Sequence, residues 1–199
     1  MLYFCRLKTV IATHKMGQAA TKCARSLRMD NKRWLVAYVK MHHEKKVRDR
    51  LTAMGIENFL PVQTEVRRWS DRLKKVERVL IPMMIFVYVD AREQREVIAL
   101  PSVLRYMALR GEHAPATVPD GQMRQFRFMV DNSDASVVFN TSNLQPSEQV
   151  RVIKGPLAGL TGELVTVDGK SSIAIRIEQL GCAVVEMARD KVEEKSGWV

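Results

Sequence analysis

The longest apolar run of the chain, VLIPMMIFVYV over residues 79–89, places the strongest limit on its fold. The run is too short for the ~20 residues that a membrane-spanning helix needs, and Pro82 interrupts it. Branched and aromatic residues dominate the run, which is typical of a buried strand. We therefore expect a globular protein with a long strand over residues 76–89 and no membrane span.

A strand and a helix precede this run. Residues 34–39 are apolar and rich in β-formers, so they predict a buried strand. Residues 43–54 carry apolar side chains at helical spacing before Gly55, which indicates a helix that ends there. Residues 56–66 predict the next strand, interrupted at Pro61.

Shorter elements follow the run. Residues 92–100 predict a helix, residues 103–109 a strand, and Pro119-Asp120 opens a last helix. Residues 32–130 therefore predict an α+β sandwich.

A polar segment separates a second module. Residues 131–147 are rich in Asn, Ser and Asp and are interpreted as a linker. Residues 148–195 hold short alternating strands, glycine punctuation and an Asp-Gly turn, which is typical of a small closed β-barrel of four or five strands. Residues 196–199 are interpreted as a tail.

Charge differs between the modules. The formal net charge is +10, yet residues 131–199 hold 7 Lys and Arg against 10 Asp and Glu, whereas residues 33–130 hold 18 against 11. The basic front module suits a nucleic acid or nucleoprotein partner. Residues 1–31 are also basic and lack periodicity, so we expect a disordered extension, with an organellar transit peptide or an internal start at Met29 as alternatives.

The sequence offers no catalytic or metal-binding constellation. Its three cysteines are too far apart for a disulfide framework or a CxxC cage, and a reducing, cytoplasmic location fits them. His42-His43-Glu44 has no third ligand at a suitable spacing and is interpreted as a solvated helix start. We expect a protein that is not an enzyme and binds no cofactor.

Residues 150–164, VRVIKGPLAGLTGEL, resemble the KOW motif of NusG and of certain ribosomal proteins. An alternating strand precedes a Gly155-Pro156 turn, and Gly159 and Gly162 stand where the chain must turn before the second strand. KOW barrels bind RNA in some proteins and other proteins elsewhere.

The front module adds to this resemblance. Its segments RWLVAYV, KVERVLIPMMIFVYV, LPSV and PATVP resemble the NusG N-terminal domain. The resemblance implies a NusG-type transcription elongation or antitermination factor with a NusG-like α/β sandwich domain and a C-terminal KOW barrel of the SH3-like type.

Within these factors, WSDRLKKVER and IPMMIFV resemble the UpxY branch of specialised antiterminators of Bacteroides-type bacteria. That branch implies control of a long operon for surface (capsular) polysaccharide. General NusG proteins have Pro-Gly-Tyr where this chain has Pro82-Met83-Met84, so the polymerase-facing patch differs.

The resemblance implies RNA polymerase as the partner, bound through the clamp helices of its largest subunit. The expected apolar patch consists of Trp34, Phe59, Ile81, Pro82 and Met84. Flexible Met side chains suit a protein-binding surface. The alternative is that these residues are core, and for Trp34 and Phe59 the two interpretations are balanced.

A basic hairpin is expected to contact the non-template DNA strand of the transcription bubble. It combines phosphate-binding charge with a stacking aromatic ring. Its candidate residues are Arg67, Arg68, Trp69, Arg72, Lys74, Lys75 and Arg78. The alternative is a solvated charged loop.

Leu180 occupies the position at which NusG proteins contact ribosomal protein S10 or Rho, although Gln179 replaces a neighbouring aliphatic residue. The resemblance implies a monomeric cytoplasmic factor that suppresses pausing or premature termination by favouring the elongating polymerase. The alternative is a KOW-type RNA-binding or ribosome-associated protein, which would not need the complete front domain.

Overall fold

The computed structural model describes residues 32–68, 72–140, 148–167, 169–178 and 180–194. The extension predicted for residues 1–31 and the tail predicted for residues 196–199 lie outside these ranges. Among the described helices, none is long and apolar enough to cross a membrane.

The front module is a mixed α/β structure, as the sequence predicts. Its elements are β1 (Arg33–Val39), α1 (Glu44–Ala53), β2 (Glu57–Phe59), β3 (Val62–Arg68), β4 (Leu73–Val79), β5 (Met84–Val89), α2 (Ala91–Ile98), β6 (Val103–Tyr106), β7 (Thr117–Val118) and α3 (Asp120–Asn132). Helix α2 begins with a capping box, because Asp90 accepts the Glu93 N–H and the Glu93 carboxylate accepts the Asp90 N–H. Helix α1 is followed by Gly55, whose φ of +72° suits the end of a helix.

The central sheet has the antiparallel strand order β2-β5-β1-β6, with β7 also paired to β1. Side chains alternate along β1, so Leu35, Ala37 and Val39 are buried together with residues of α1 and α2. Trp34 and Val36 lie on the opposite face, in the cluster that contains the buried side of α3. The sheet is therefore covered on both faces.

The single long strand predicted for residues 76–89 is wrong, because the structure has two strands there. Strand β4 ends at Val79 and β5 begins at Met84. Pro82 has no N–H to donate to a ladder, and Met83 adopts a φ of +61°, which breaks the extended backbone. As a result β4 pairs with β3 in a separate two-stranded sheet, while β5 enters the central sheet.

The second module is a six-stranded antiparallel sheet in the order β13-β9-β10-β11-β12-β8. Its strands are β8 (Val137–Asn140), β9 (Gln149–Val152), β10 (Thr161–Val167), β11 (Lys170–Ile177), β12 (Gly181–Glu186) and β13 (Val192–Glu194). The sequence predicts four or five strands within residues 148–195, and β8, which precedes this range, is not among them.

The linker predicted for residues 131–147 is also corrected by the structure, because part of this segment belongs to α3 and to β8. Helix α3 continues to Asn132, and residues 137–140 pair with β12. Val137 is fully buried and Phe139 is partly buried, whereas Val138 between them is 52% exposed, as alternation along a strand requires. Residues 141–147 lie outside the described ranges.

Helix α3 packs between the central sheet and the second module. The Phe126 ring lies 5.7 Å from the rings of Phe59 and Phe86, measured between centroids. It also lies 6.3 Å from the ring of Phe139 in β8. The same apolar cluster continues through Ile175 of β11, so the two modules share one core.

Gly162 in β10 generates a testable prediction, because β11 passes close to it. A Cβ at this position would lie 2.7 Å from the backbone oxygen of Ala174. We expect Gly162→Ala to lower the free energy of unfolding by about 1–3 kcal/mol, since strand β11 must shift. Urea unfolding measures the change.

The matched control is Gly121 in α3, where an added Cβ meets nothing within 4 Å. Gly121→Ala is expected to raise the free energy of unfolding by about 0.5–1 kcal/mol, because alanine favours a helix. Equal effects of the two substitutions would contradict the close approach at Gly162.

Candidate functional site

The five predicted polymerase-binding residues divide into buried and accessible groups. Trp34, Phe59 and Ile81 are 6%, 9% and 4% exposed and belong to the core cluster, so in this arrangement the core interpretation holds for them. Pro82 is exposed and Met84 is half-buried. The structure therefore brings Pro82 and Met84 to the surface and places the other three beneath it.

An arginine covers the buried aromatic residues. The Arg127 guanidinium of α3 lies 5.8 Å from the ring centre of Trp34 and 5.4 Å from that of Phe59. Its Nη1 also lies 3.1 Å from a carboxylate oxygen of Glu57. The cation is attracted to both ring faces while the carboxylate orients it.

Two residues that the sequence does not single out join the accessible group. Tyr38 of β1 pairs directly with Met84 of β5, and the Arg105 guanidinium lies 5.1 Å from the Tyr38 ring centre. We call Tyr38, Pro82, Met83, Met84 and Arg105 the methionine patch. Alternation from Trp34 through Val36 already predicts that Tyr38 shares the face of Trp34. Arg105 could not be found this way, because pairing of β6 with β1 brings it there.

The turn that carries Met83 is fixed by a buried carboxylate. Glu44 is 6% exposed, and its Oε1 accepts the Met83 N–H at 2.9 Å. The Met83 carbonyl in turn accepts the Val39 N–H at 2.9 Å. The interpretation of Glu44 as part of a solvated helix start is therefore wrong, since its carboxylate holds the turn against the end of β1.

The basic hairpin forms, but its cations do not share one face. In the β3–β4 ladder Arg67 pairs with Lys74 and Arg68 with Leu73, so side chains at alternate positions point to opposite faces. One face carries Arg68 and Lys75, and the positions of Arg67, Lys74 and Arg78 belong to the other. The Arg78 guanidinium lies 2.8 Å from the carboxylate of Glu65. Trp69 lies outside the described residues.

Arg72, at the hairpin end of β4, is exposed, as are Arg68, Lys74, Lys75 and Arg78. Val66 and Leu73 are 60% and 70% exposed and share the face of Arg68 and Lys75. That face thus combines cations with apolar side chains.

Helix α1 holds the base of the hairpin. The Lys45 ammonium lies 2.9 Å from a carboxylate oxygen of Glu77 in β4. Hydrogen bonding to Lys45 and its positive charge hold the pKa of the Glu77 carboxyl below its usual range. This ion pair orients the hairpin but is half-exposed, so it contributes little to stability.

Leu180, the predicted partner-binding residue of the second module, is 8% exposed. It is the last residue of the turn between β11 and β12 and belongs to the shared apolar cluster. In this arrangement it is a core residue.

No group of three or more His, Cys, Asp or Glu side chains is placed to hold a metal ion in the part of the chain that the structure describes.

Comparison with known proteins assigns the front module to a family. Residues 32–127 match the family model described as "Transcription termination factor nusG". Residues 32–127 form a NusG family domain. The matched range runs from β1 into α3, so the NusG domain contains the hairpin, the methionine patch and the buried aromatic residues Trp34, Phe59, Phe86 and Phe126. No curated protein matches the chain significantly.

Solved structures also match the chain. The structure described as "Domain interaction in Thermotoga maritima NusG" is 18% identical in sequence to this chain, with a TM-score of 0.45. The match covers 84% of this chain and 99% of that chain. Conformation B of the MjSpt4:Spt5 complex shares 13% identity at a TM-score of 0.28, over 82% of this chain and 97% of that chain. Conformation A shares 13% identity at a TM-score of 0.27, over 82% and 98%.

The left-handed backbone of Met83 in the NusG domain generates a prediction. A non-glycine residue there costs ~1–2 kcal/mol, and the greater freedom of glycine in the unfolded chain offsets part of the gain from replacing it. We expect Met83→Gly to raise the free energy of unfolding by about 0.5–1 kcal/mol, as measured by urea unfolding.

Met41→Gly is the control, because Met41 is 59% exposed and does not have a positive φ. It is expected to lower stability slightly. A lower unfolding midpoint for Met83→Gly than for the parent chain would show that the Met83 side chain outweighs the backbone cost.

Proposed function

We propose that this chain is a transcription elongation factor that binds RNA polymerase through its NusG domain and acts without a covalent step. The observation that carries the proposal is the family match over residues 32–127. A factor that binds the elongating state of the polymerase more tightly than its other states shifts the population toward the elongating state. A monomer in the bacterial cytoplasm fits this role.

The methionine patch is the contact surface that we propose for the polymerase. It combines exposed Pro82, Met83 at 38% exposure, half-buried Met84 and the aromatic ring of Tyr38. Met side chains adapt to an apolar partner surface, and Arg105 adds a cation at the rim. The partner suited to it is a pair of helices with an apolar stripe, as expected for the clamp helices of the largest subunit.

The patch is tested by Pro82→Glu together with Met84→Glu. Glutamate has a stem long enough to carry its charge from half-buried Met84 into solvent, so the domain is expected to stay folded. We expect tagged parent chain to capture polymerase subunits from a bacterial lysate and the double variant to lose at least tenfold of that capture. Ile81 is unsuitable for this test, because at 4% exposure a carboxylate there would disrupt the core.

Ile98→Glu is the matched control, since Ile98 is 40% exposed on α2 and α2 covers the other face of the central sheet. It should capture as much polymerase as the parent chain does. Equal capture by the double variant would refute the patch. Ribosomal RNA in place of polymerase subunits would favour the rival function, a KOW-type RNA-binding or ribosome-associated protein.

The hairpin is proposed to contact the non-template DNA strand. Arg68 and Lys75 supply cations for phosphates, and exposed Val66 and Leu73 on the same face supply apolar contacts. The proposed nucleic-acid surface also includes Arg67, Trp69, Arg72, Lys74 and Arg78.

Arg68→Gln together with Lys75→Gln tests the DNA contact. Each phosphate contact to a single strand adds ~0.7 to the slope of log affinity against log salt concentration, so the slope should become shallower by about 1.4. Affinity for a bubble-containing DNA duplex, measured by fluorescence anisotropy across salt concentrations, gives the slope.

Arg92→Gln together with Arg95→Gln is the control, because it removes the same charge from α2, outside the hairpin. Its slope should equal that of the parent chain. An affinity that does not depend on salt, or equal losses in both double variants, would count against a DNA-binding hairpin.

Two finer assignments are proposed from sequence resemblance. Residues 148–195 are proposed to be a KOW barrel of the SH3-like type, and the chain a specialised antiterminator for a long capsular polysaccharide operon. A contact of Leu180 with ribosomal protein S10 or Rho would require exposure of that side chain, which is 8% exposed.

A further inference from the structure

A glutamine of the hairpin is bonded to the backbone that leads into the second module. The Gln63 Nε2 donates to the Ala135 carbonyl at 2.8 Å, and the Gln63 Oε1 accepts the Val137 N–H at 3.0 Å. Its amide therefore makes the pair of hydrogen bonds that a neighbouring strand would make to the start of β8.

A second glutamine makes an equivalent pair at the other end of α3. The Gln122 Nε2 donates to the Glu178 carboxylate at 2.9 Å, and the Gln122 Oε1 accepts the Glu178 N–H at 3.0 Å. Glu178 follows β11 and precedes Leu180. The Gln122 amide thus bonds the second module near the beginning of α3, and the Gln63 amide bonds it just after the end of α3.

The apolar contact between these ends is continuous. Asn132 comes ten positions after Gln122 in α3, which is about 15 Å along the helix axis. Phe126 lies between them and contacts Phe139, and Met129 is fully buried in the same cluster. Apolar packing is not directional, so it does not by itself fix how the second sheet sits on α3.

The hydrogen bonds supply that direction. Each glutamine uses both atoms of its amide, and one bond of each pair goes to a backbone N–H of the second module. Val137 is fully buried, so its N–H would lack a partner in the docked state if Gln63 were removed. Leaving a buried N–H without an acceptor costs more free energy than its hydrogen bond contributes. In the undocked state, water can accept a hydrogen bond from this N–H.

We propose that Gln63 and Gln122 are two clasps that together hold the second module on the NusG domain, so that when the hydrogen bonds of one clasp break, those of the other break as well. Undocking is then a single rigid-body step in which β8 leaves the hairpin and the β11–β12 turn leaves α3. The position of the hairpin and the position of the second module are consequently linked through Gln63.

The test is residue-resolved amide hydrogen exchange by NMR on the full chain, with Gln63→Ala and Gln122→Ala. Two amides report on the two clasps, those of Val137 and Glu178. Gln63→Ala is expected to speed exchange at both about tenfold, although Glu178 does not contact Gln63. Gln122→Ala is expected to speed exchange at both as well.

Thr64→Ala is the matched control, because Thr64 is the exposed neighbour of Gln63 on the opposite face of β3. It should leave both amides within about twofold of the parent chain. The Val36 amide of β1 reports on global unfolding and should be unchanged in every variant.

Acceleration confined to Val137 in Gln63→Ala would overturn the proposal, since it would mean local fraying of β8. Unchanged exchange at both amides would overturn it too. Equal acceleration at Val36 would show a general loss of stability and likewise contradict a specific release. Because the readout involves no polymerase or DNA, its outcome is independent of the proposed function.

Discussion

The arrangement of this molecule depends on the burial of α3 from two sides. Phe126 contacts Phe59 and Phe86 of the central sheet and Phe139 of β8 at the same time. The buried stripe of α3 consists of Met123, Phe126, Met129 and Val130, and it belongs to the apolar cluster that contains residues of both the central sheet and the second module. The NusG domain and the second module therefore cannot be considered as separate cores.

A second constraint is the break between β4 and β5. Pro82 and the left-handed Met83 end one strand and start another, and the Glu44 carboxylate holds the turn in place. The break frees β4 to pair with β3, so the basic hairpin stands apart from the central sheet. It also brings Met84 beside Tyr38, which creates the methionine patch next to the hairpin base.

Parts of the candidate site could be predicted from the sequence. The charges between Arg67 and Arg78 identify the hairpin, because such a run must stay in solvent, and Pro82 with its methionines suggests an exposed turn. The burial of Trp34, Phe59 and Leu180 could not be predicted, since an apolar side chain suits a core and a binding surface equally. Arg127 was missed because its neighbours along α3 give no sign that it covers two aromatic rings.

The sequence by itself determined the local elements: the strand at residues 33–39, the helix ended by Gly55, the capped helix at Asp90 and the glycine turns of the second module. These follow from side-chain spacing and backbone freedom, which act over a few residues. Tertiary structure decided that residues 137–140 become a strand and that Gln63 and Gln122 bond the NusG domain to the second module. Those outcomes depend on partners that are distant in the chain, since residues 137–140 pair with β12 and the glutamine hydrogen bonds join residues 56 to 74 positions apart, which no local pattern encodes.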